Sequence, residues 1–450
     1  PSLDLITRIV LNDQFLTLVV SKPMKSNYAC KSNEHEIARR GFLGTMLGTA
    51  GVVGGLGAFT NRSIATELER KQKRVVVFNM AGGISQLETW DPKPGTDTGG
   101  PFRAIPTSVP GVHISELLPK TAKLMHHLAL VRSINIKEND HGKGRYAMWT
   151  GRRQTPAQDF PQIGAVMAKS LGADKNALPG HIQVSSSTGG RSNDSAYLGP
   201  AFASISIASG KPPANSARPE GMTEKQDILR NEFRRSADNR FSLRRRSAQT
   251  DAYAQSYEQA QQLMANRDVF DITKESPKDH ERYGKHELGQ HSLLARRLLE
   301  KGVTFVQVTH SNYDTHNENF NFHLEQVGEF DKAYSALVED LAVRGMLDST
   351  LIIVMSEFGR TPRINQYYGR DHWGTAWSIC LGGAGIQRGA VIGSTNDNGT
   401  AVKDREVDHG HLFHTYLQAV GVDSLGSFSI GGQDIPVADP SHAPIEELLA

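Results

Sequence analysis

Helical and strand patterns alternate in the second half of this chain, and this alternation is the feature that most limits its fold. Between 286 and 302 the apolar residues recur at helical spacing, and the apolar run VTFVQV follows directly. The segment 322–347 repeats the helical spacing and leads into STLIIVM, a second apolar run that suits a buried strand. The apolar positions of this second helix are Leu324, Val327, Phe330, Leu337 and Leu341. Such alternation is typical of an α/β fold with a mainly parallel sheet.

Three further segments complete the predicted framework. KRVVVFNM, residues 73–80, reads as a buried strand that ends in a Gly-Gly turn. HLFHTYLQAVG, residues 411–421, reads as a late helix with Asp408 as its N-cap. The highly charged stretch around 220–285 is expected to form a helical insertion, and its arginine clusters are interpreted as a solvated helix face in preference to a polyanion site.

The amino-terminal region carries a targeting pattern. Arg39 and Arg40 precede Phe-Leu and a glycine-rich apolar run, which is typical of a twin-arginine export signal. We expect residues 1–23 to be an upstream artefact, 24–65 to form the signal and 66–450 to form the folded domain. The twin-arginine export machinery is then a partner, and the destination is the periplasm or cell surface. A transmembrane anchor remains the alternative, so the exported protein is either free or membrane-held.

The composition excludes several classes of function. The formal net charge is +2, so no global field favours a nucleic acid partner. The two cysteines, Cys30 and Cys380, are too few for a thiolate zinc site or a disulfide framework. Any metal must therefore be held by carboxylates and by some of the 17 histidines.

Polar residues follow the predicted strands, where ligands bind in parallel sheets. Asn79 closes the first strand, and Ser85 lies beyond its Gly-Gly turn. Asp314 and His316 follow VTFVQV, and carboxylate and imidazole together suit a divalent metal. The alternative for both segments is a polar turn whose groups bond to one another.

The strand STLIIVM leads into a longer run of charged residues. Glu357 lies directly after the strand, and Asp371 and His372 follow further along as additional ligand types. Arg360 and Arg363 are suited to holding an anion by paired hydrogen bonds. The alternative is an Arg–Glu ion-pair network without a ligand.

A fourth segment, NDHGKGRYAMWTGRR at 139–153, places an acid and a histidine ahead of a run of cations. Asp140, His141 and Arg145 are its candidate functional residues. Read alone, this segment suits a basic surface loop as well as a site.

Three long motifs resemble one family. GGISQLETWDPKPG, SEFGRTPRIN and GRDHWG, in this order behind a twin-arginine leader, resemble the DUF1501 family over about 75–421. That family is placed within the alkaline phosphatase and sulfatase superfamily. The resemblance implies a three-layer α/β/α sandwich, divalent metals that hold a phosphate or sulfate ester, and a nucleophile at the start of a helix.

The resemblance also gives roles to the fourth segment. Sulfatases carry Cys/Ser-x-Pro-Ser-Arg, then three residues and Leu-Thr-Gly-Arg, and Arg145 with Thr150-Gly151-Arg152 keeps this spacing. His141 then occupies the place of the nucleophile, as a nucleophile, a general base or a metal ligand. Because no cysteine lies there, the resemblance implies chemistry that is independent of formylglycine.

The resemblance implies one well-supplied metal site, formed by Asp314, His316 and His372. A second site is weakened, because Asn79 and Glu357 stand where the superfamily has other ligands. Asp371 is a further candidate ligand, and the metal is Zn, Ca, Mg or Mn.

The leading hypothesis is an exported metal-dependent hydrolase of phosphate or sulfate esters, whose anionic substrate includes a glycan among its candidates. Arg145 and Arg360 are assigned to stabilising negative charge, beside His141. Ser85, Asp140 and Arg363 are assigned to substrate contacts. The alternative is a degenerate, non-catalytic member that binds an anionic glycan or a protein partner. The sequence predicts no oligomeric state.

Overall fold

The computed structural model describes residues 8–11, 14–17, 72–172, 178–186, 193–208, 212–213, 216–243 and 248–450. The chain divides into two compact units, Pro1–Thr66 and Glu67–Ala450. In the first unit, Arg8–Leu11 and Gln14–Thr17 pair as antiparallel strands. The predicted twin-arginine signal at 24–65 lies outside the described residues. Among the helices that are described, none combines the length and the apolar character that crossing a membrane requires.

The second unit is built on an eight-stranded sheet. Its strands are β1 (Arg74–Met80), β2 (Leu128–Ile134), β3 (His181–Val184), β4 (Ile205–Ile207), β5 (Phe305–His310), β6 (Thr350–Met355), β7 (Trp377–Gly382) and β8 (Val391–Ile392). They lie in the order β8-β2-β7-β6-β1-β5-β3-β4. Seven of them run in one direction, and β7 alone pairs antiparallel with β6 and β2. The predicted mainly parallel sheet is confirmed.

Nine helices are described in this unit. They are α1 (Pro119–Leu124), α2 (His141–Thr150), α3 (Ile163–Leu171), α4 (Glu224–Ser242), α5 (Ala248–Ala265), α6 (Pro277–Tyr283), α7 (Glu287–Glu300), α8 (Asn319–Val343) and α9 (His409–Ala419). Four short ribbons pair 104–106 with 113–115, 359–360 with 372–373, 394–395 with 402–404, and 427–430 with 433–436. The helices α4 and α5 occupy the segment that was predicted to be a helical insertion.

The helices cover both faces of the sheet. Successive side chains of a strand point to opposite faces, and in β1 Val76 and Phe78 pack in one hydrophobic cluster while Val75 and Val77 pack in another. The first cluster contains the apolar sides of α7 and α8, and the second contains those of α2, α3 and α9. The predicted three-layer α/β/α sandwich is confirmed.

One detail of the predicted core is wrong. Leu324, assigned to the apolar face of α8, is 58% exposed. The buried position one turn before Val327 belongs to His323, which is fully buried. Leu324 is rotated out of the packed face because it lies one residue beyond that position, about 100° around the helix.

Candidate metal centre and active site

Four segments meet at the carboxyl edge of the sheet. Strands β5, β1 and β6 are neighbours, and the loops after them bring together Asp314, Gly82 and Glu357. The ribbon of 359–360 with 372–373 pairs Arg360 with His372 and holds both at this edge. Helix α2 starts here with His141. The expected convergence of strand-end residues is therefore observed.

Two local sequence features position the start of α2 and the loop after β1 at this edge of the sheet. Asp140 caps α2 by accepting a hydrogen bond from the Lys143 backbone N–H at 3.0 Å, which sets the direction of the helix start. Gly82 has φ of +115°, and a Cβ at this position would lie 2.5 Å from the Asp314 backbone nitrogen. Only glycine allows the first loop to pack against the Asp314 loop in this way.

His141 bridges two carboxylates. Its Nδ1 lies 2.8 Å from Glu357 Oε1, and its Nε2 lies 3.4 Å from Asp314 Oδ2. The same Glu357 oxygen accepts the Gly82 N–H at 2.9 Å. Glu357 is thus held in place, and it orients the His141 ring.

His316 and His372 approach the same aspartate from the other side. Each Nε2 lies 3.1 Å from Asp314 Oδ1, and the two Nε2 atoms are 3.0 Å apart. His316 Nδ1 lies 2.8 Å from Asp371 Oδ1, and His372 Nδ1 lies 2.8 Å from the Asn139 carbonyl oxygen.

These contacts determine the tautomer of all three rings. Each Nδ1 faces an oxygen that only accepts hydrogen bonds: the Glu357 carboxylate, the Asp371 carboxylate or the Asn139 carbonyl. Each Nδ1 must therefore carry a proton, and in the neutral ring the lone pair is on Nε2. The three Nε2 atoms converge on the Asp314 carboxylate, and in the neutral form of the rings such a donor set fits a divalent cation. The ligand atoms of His141, Asp314 and His372 all lie within 4.8 Å of one another.

The electrostatics keep Asp314 ionised. Partial burial acts to raise the pKa of Asp314, but the hydrogen bond and charge of Arg360 outweigh it and lower that pKa to about 2. Arg360 Nη2 donates to Asp314 Oδ1 at 2.6 Å. The carboxylate is thus anionic at any physiological pH, as a metal ligand must be.

An apolar wall closes the inner side of the cluster. The buried Phe358 ring lies 4.9 Å from the His141 ring and 4.5 Å from the His372 ring, measured between centroids. The Asp314 side chain is 47% exposed on the opposite side. The cluster is therefore open to solvent in one direction, where a substrate would enter.

Some residues predicted as ligands are placed differently. Glu357 and Asp371 lie behind His141 and His316 and contact their Nδ1 atoms. Asn79 is buried near the end of β1, and in the described part of the chain no hydrogen bond joins its side chain to the cluster. The spacing of residues along the chain cannot distinguish a metal ligand from a carboxylate that orients the ligand, because both kinds of residue follow the same strands.

Arg360 also differs from its expected role. The side chain is fully buried. Its Nε donates to the Gly83 carbonyl and its Nη1 to the Arg370 carbonyl, while Nη2 bonds to Gly82 and Asp314. With these donors engaged inside the protein, Arg360 braces the Asp314 loop and does not face the open side of the cluster.

The remaining predicted residues divide into exposed and buried groups. Arg145 is exposed one turn after His141, and within the described residues its side chain makes no hydrogen bond or ion pair. Arg363 is also exposed, in the loop after the 359–360 strand. Ser85 is fully buried, and its backbone N–H donates to His323 Nε2 at 3.2 Å. Asp140 is occupied as the helix cap.

Sequence reasoning missed two supports of the site. The Asn139 carbonyl, which orients His372, carries no side-chain signal at all. Arg370 and Glu88 form a fully buried ion pair at 2.8 Å, and the Arg370 backbone N–H donates to the Thr315 carbonyl beside His316. The sequence signal for this ion pair was the presence of a carboxylate in GGISQLETW and an arginine in GRDHWG, which are two of the distinctive motifs.

Comparison with known proteins gives one family and several distant structures. The chain is similar to the PsFucS1 sulfatase from Pseudoalteromonas sp., with 15% identity and a TM-score of 0.36 over 80% of this chain and 71% of that one. It is similar to the phosphonate monoester hydrolase of Agrobacterium radiobacter, with 11% identity and a TM-score of 0.39 over 78% and 74%. For the alkaline phosphatase of the Antarctic bacterium TAB5 the values are 12% and 0.34, over 78% and 98%.

No curated protein matches this chain. The model of the family described as "Protein of unknown function (DUF1501)" matches residues 72–449, which is nearly the whole of the second unit. The chain therefore belongs to the DUF1501 family.

Proposed function

We propose that this chain is an exported, metal-dependent hydrolase of phosphate or sulfate esters. The observation that carries the proposal is the convergence of three imidazole Nε2 atoms on the ionised Asp314. Two neutral rings whose Nε2 lone pairs face each other at 3.0 Å repel unless a proton or a metal ion lies between them. Export rests on the twin-arginine pattern alone.

The donor set fits a divalent metal held by nitrogen and oxygen. His141, His316, His372 and Asp314 would hold it, and Glu357, Asp371 and the Asn139 carbonyl keep the three rings in the required tautomer. When bound, such a metal supplies Lewis-acid polarisation of a phosphoryl or sulfuryl oxygen. Imidazole and carboxylate together favour zinc or manganese over calcium.

His141 acts in this proposal as a metal ligand. Its Nδ1–H is used by Glu357, and its Nε2 belongs to the same group of atoms as Asp314 and His372. A nucleophile would need a clear path from Nε2 to the substrate, and Asp314 Oδ2 occupies that direction at 3.4 Å.

Arg145 binds the anionic ester. Among the described residues its side chain has no ionic partner, and it lies on the same face of α2 as His141, since residues four apart are neighbours on a helix. Arg360 positions Asp314, and Phe358 excludes water from the inner side of the cluster.

Turnover of aryl phosphate and aryl sulfate tests the function. The wild-type protein is expected to hydrolyse one of these esters, to lose the activity after chelation and to regain it when Zn²⁺ or Mn²⁺ is added. Asp314→Asn should abolish turnover in the presence of excess metal. A folded, metal-replete wild type that hydrolyses neither ester would favour the non-catalytic binder.

A further inference from the structure

A second group of histidines and a carboxylate lies at the start of α9. It consists of Asp408, His411 and His442, whose ligand atoms all lie within 4.8 Å of one another. The preceding residue, Val407, donates its backbone N–H to the Ser133 carbonyl at the end of β2, so this group also lies at the carboxyl edge of the sheet. It shares no residue with the cluster around Asp314.

The tautomer of His442 is set from outside this group. Ser441 Oγ lies 2.7 Å from Asp439 Oδ1, and because a carboxylate only accepts, Ser441 must donate its proton there. Ser441 Oγ also lies 3.0 Å from His442 Nδ1, and it must accept in that bond. Nδ1 therefore carries the proton, and the lone pair of His442 is on Nε2.

That lone pair points at another acceptor. His442 Nε2 lies 3.1 Å from Asp408 Oδ2, an oxygen of a half-buried carboxylate. The His442 ring is locked in this position, because it packs on Gly410 so closely that a Cβ there would lie 2.4 Å from His442 Cγ. Either a proton or a metal ion must therefore lie between His442 Nε2 and Asp408 Oδ2.

His411 supplies a third donor atom. Its Nδ1 lies 2.8 Å from Asp408 Oδ1 and 3.4 Å from the Asp408 backbone nitrogen. Asp408 Oδ1 already accepts the N–H groups of Gly410 and His411. Because a carboxylate only accepts, a proton lies between His411 Nδ1 and Asp408 when no metal is bound, and a metal ion would replace that proton.

We propose that Asp408, His411 Nδ1 and His442 Nε2 form a second site for a divalent metal of the zinc class. Two imidazoles and one carboxylate are a known zinc donor set with a free fourth position. Zinc bonds of about 2.1 Å place tetrahedral ligands about 3.4 Å apart. The two histidine nitrogens lie 2.8 and 3.1 Å from oxygens of Asp408, and the three ligand atoms all lie within 4.8 Å of one another. The bound ion ties the segment 439–442 to the start of α9.

Zinc binding by the full chain tests this site. The metal-stripped wild type is titrated with Zn²⁺ and its bound ions are counted, beside His442→Ala and Asp408→Asn. Each variant is expected to bind one ion fewer than the wild type. Asparagine caps a helix as well as aspartate does, so Asp408→Asn removes the charged ligand while the helix start is kept. His113→Ala, an exposed histidine outside both groups, should bind as many ions as the wild type.

A third variant separates this proposal from the proposed function. His372→Ala should lose the ion of the Asp314 cluster, and the double variant His372→Ala, Asp408→Asn should lose both. If His372→Ala binds as much zinc as the wild type and Asp408→Asn binds less, the second site stands and the proposed active-site metal fails. Zinc counts and zinc-dependent rises in Tm that are the same in Asp408→Asn, His442→Ala and the wild type would overturn the second site.

Discussion

His316 Nε2 and His372 Nε2 lie 3.0 Å apart, while the Nδ1 protons of the two rings are used by Asp371 and by the Asn139 carbonyl. When both rings are neutral, their Nε2 lone pairs face each other, and the arrangement is unfavourable unless a proton or a metal ion lies between them. Both rings also contact Asp314. A metal ion bound by these three residues would therefore stabilise the loops that carry them.

Removing metal should destabilise the protein. Chelation is expected to lower Tm, and adding Zn²⁺ should restore it, because a ligand that binds only the folded chain stabilises it. The measurement is thermal unfolding followed by circular dichroism, made in the Asp408→Asn background so that the second site does not contribute. The same experiment on His316→Ala should show a smaller shift. An identical Tm with and without chelator would contradict metal binding by His316 and His372.

Arg360→Gln should destabilise the fold strongly. The change leaves the carbonyls of Gly82, Gly83 and Arg370 without their charged donor and removes the partner of Asp314. Losing one partner of a buried charged network costs about 3 kcal/mol in the free energy of unfolding. Urea denaturation measures the loss. Arg363→Gln, at an exposed arginine three residues later, should stay within about 0.5 kcal/mol of the wild type.

Arg145→Ala should lower kcat/KM for the ester by roughly 10- to 100-fold, the worth of one charge-assisted hydrogen bond of about 1.5–3 kcal/mol. Metal content should not change, since Arg145 contacts no proposed ligand. Lys143→Ala removes another exposed cation from the first turn of α2 and is the matched control. Equal losses in the two variants would show a general charge effect and no specific contact with the substrate.

Glu88→Gln should destabilise the protein by about 3 kcal/mol at pH 7, because it leaves the buried Arg370 charge without its anionic partner. Burial acts to raise the pKa of Glu88, but the charge and hydrogen bonds of Arg370 outweigh it, and the pKa lies below its ordinary value of 4.5. A carboxyl with a lowered folded pKa stabilises the fold above its unfolded pKa, and this contribution disappears as the pH falls through the folded value.

The difference in unfolding free energy between the wild type and Glu88→Gln should therefore be constant near neutral pH and narrow below about 4.5. Urea denaturation at several pH values checks this. The exposed pair of Arg103 and Glu116 gives the control, since Glu116→Gln should cost less than about 1 kcal/mol. A difference that widens as the pH falls would contradict the assigned sign.

The sequence was sufficient to predict the layers of the fold and the edge at which the site lies. Apolar periodicity identified β1, β5, β6, α7 and α8, and parallel strands bring their carboxyl ends together. Asp314 and His316 follow β5 at this edge, whereas the assignment of His372 to the same site came from the family resemblance and stays a prediction. The family assignment from three motifs is confirmed by the match over 72–449.

The contacts that orient the histidines and Asp314 could not be predicted from the sequence. Glu357 and Asp371 have the chemistry of ligands, and only the ribbon register and the start of α2 turn them toward the Nδ1 atoms. Arg360 has the chemistry of an anion holder, and its burial beneath Asp314 depends on packing between loops 46 residues apart in the chain. The predicted signal segment is outside the described residues and stays a prediction.

Anomalous X-ray diffraction at the zinc absorption edge tests the central claim most directly, on crystals of the wild-type protein grown with Zn²⁺. An anomalous peak is expected about 2.1 Å from His372 Nε2 and from an Asp314 oxygen, with the His141 and His316 rings turned toward it. The peak should be absent in His372→Ala crystals grown in the same way. Wild-type crystals without an anomalous peak among these four side chains would show that they do not form a zinc site.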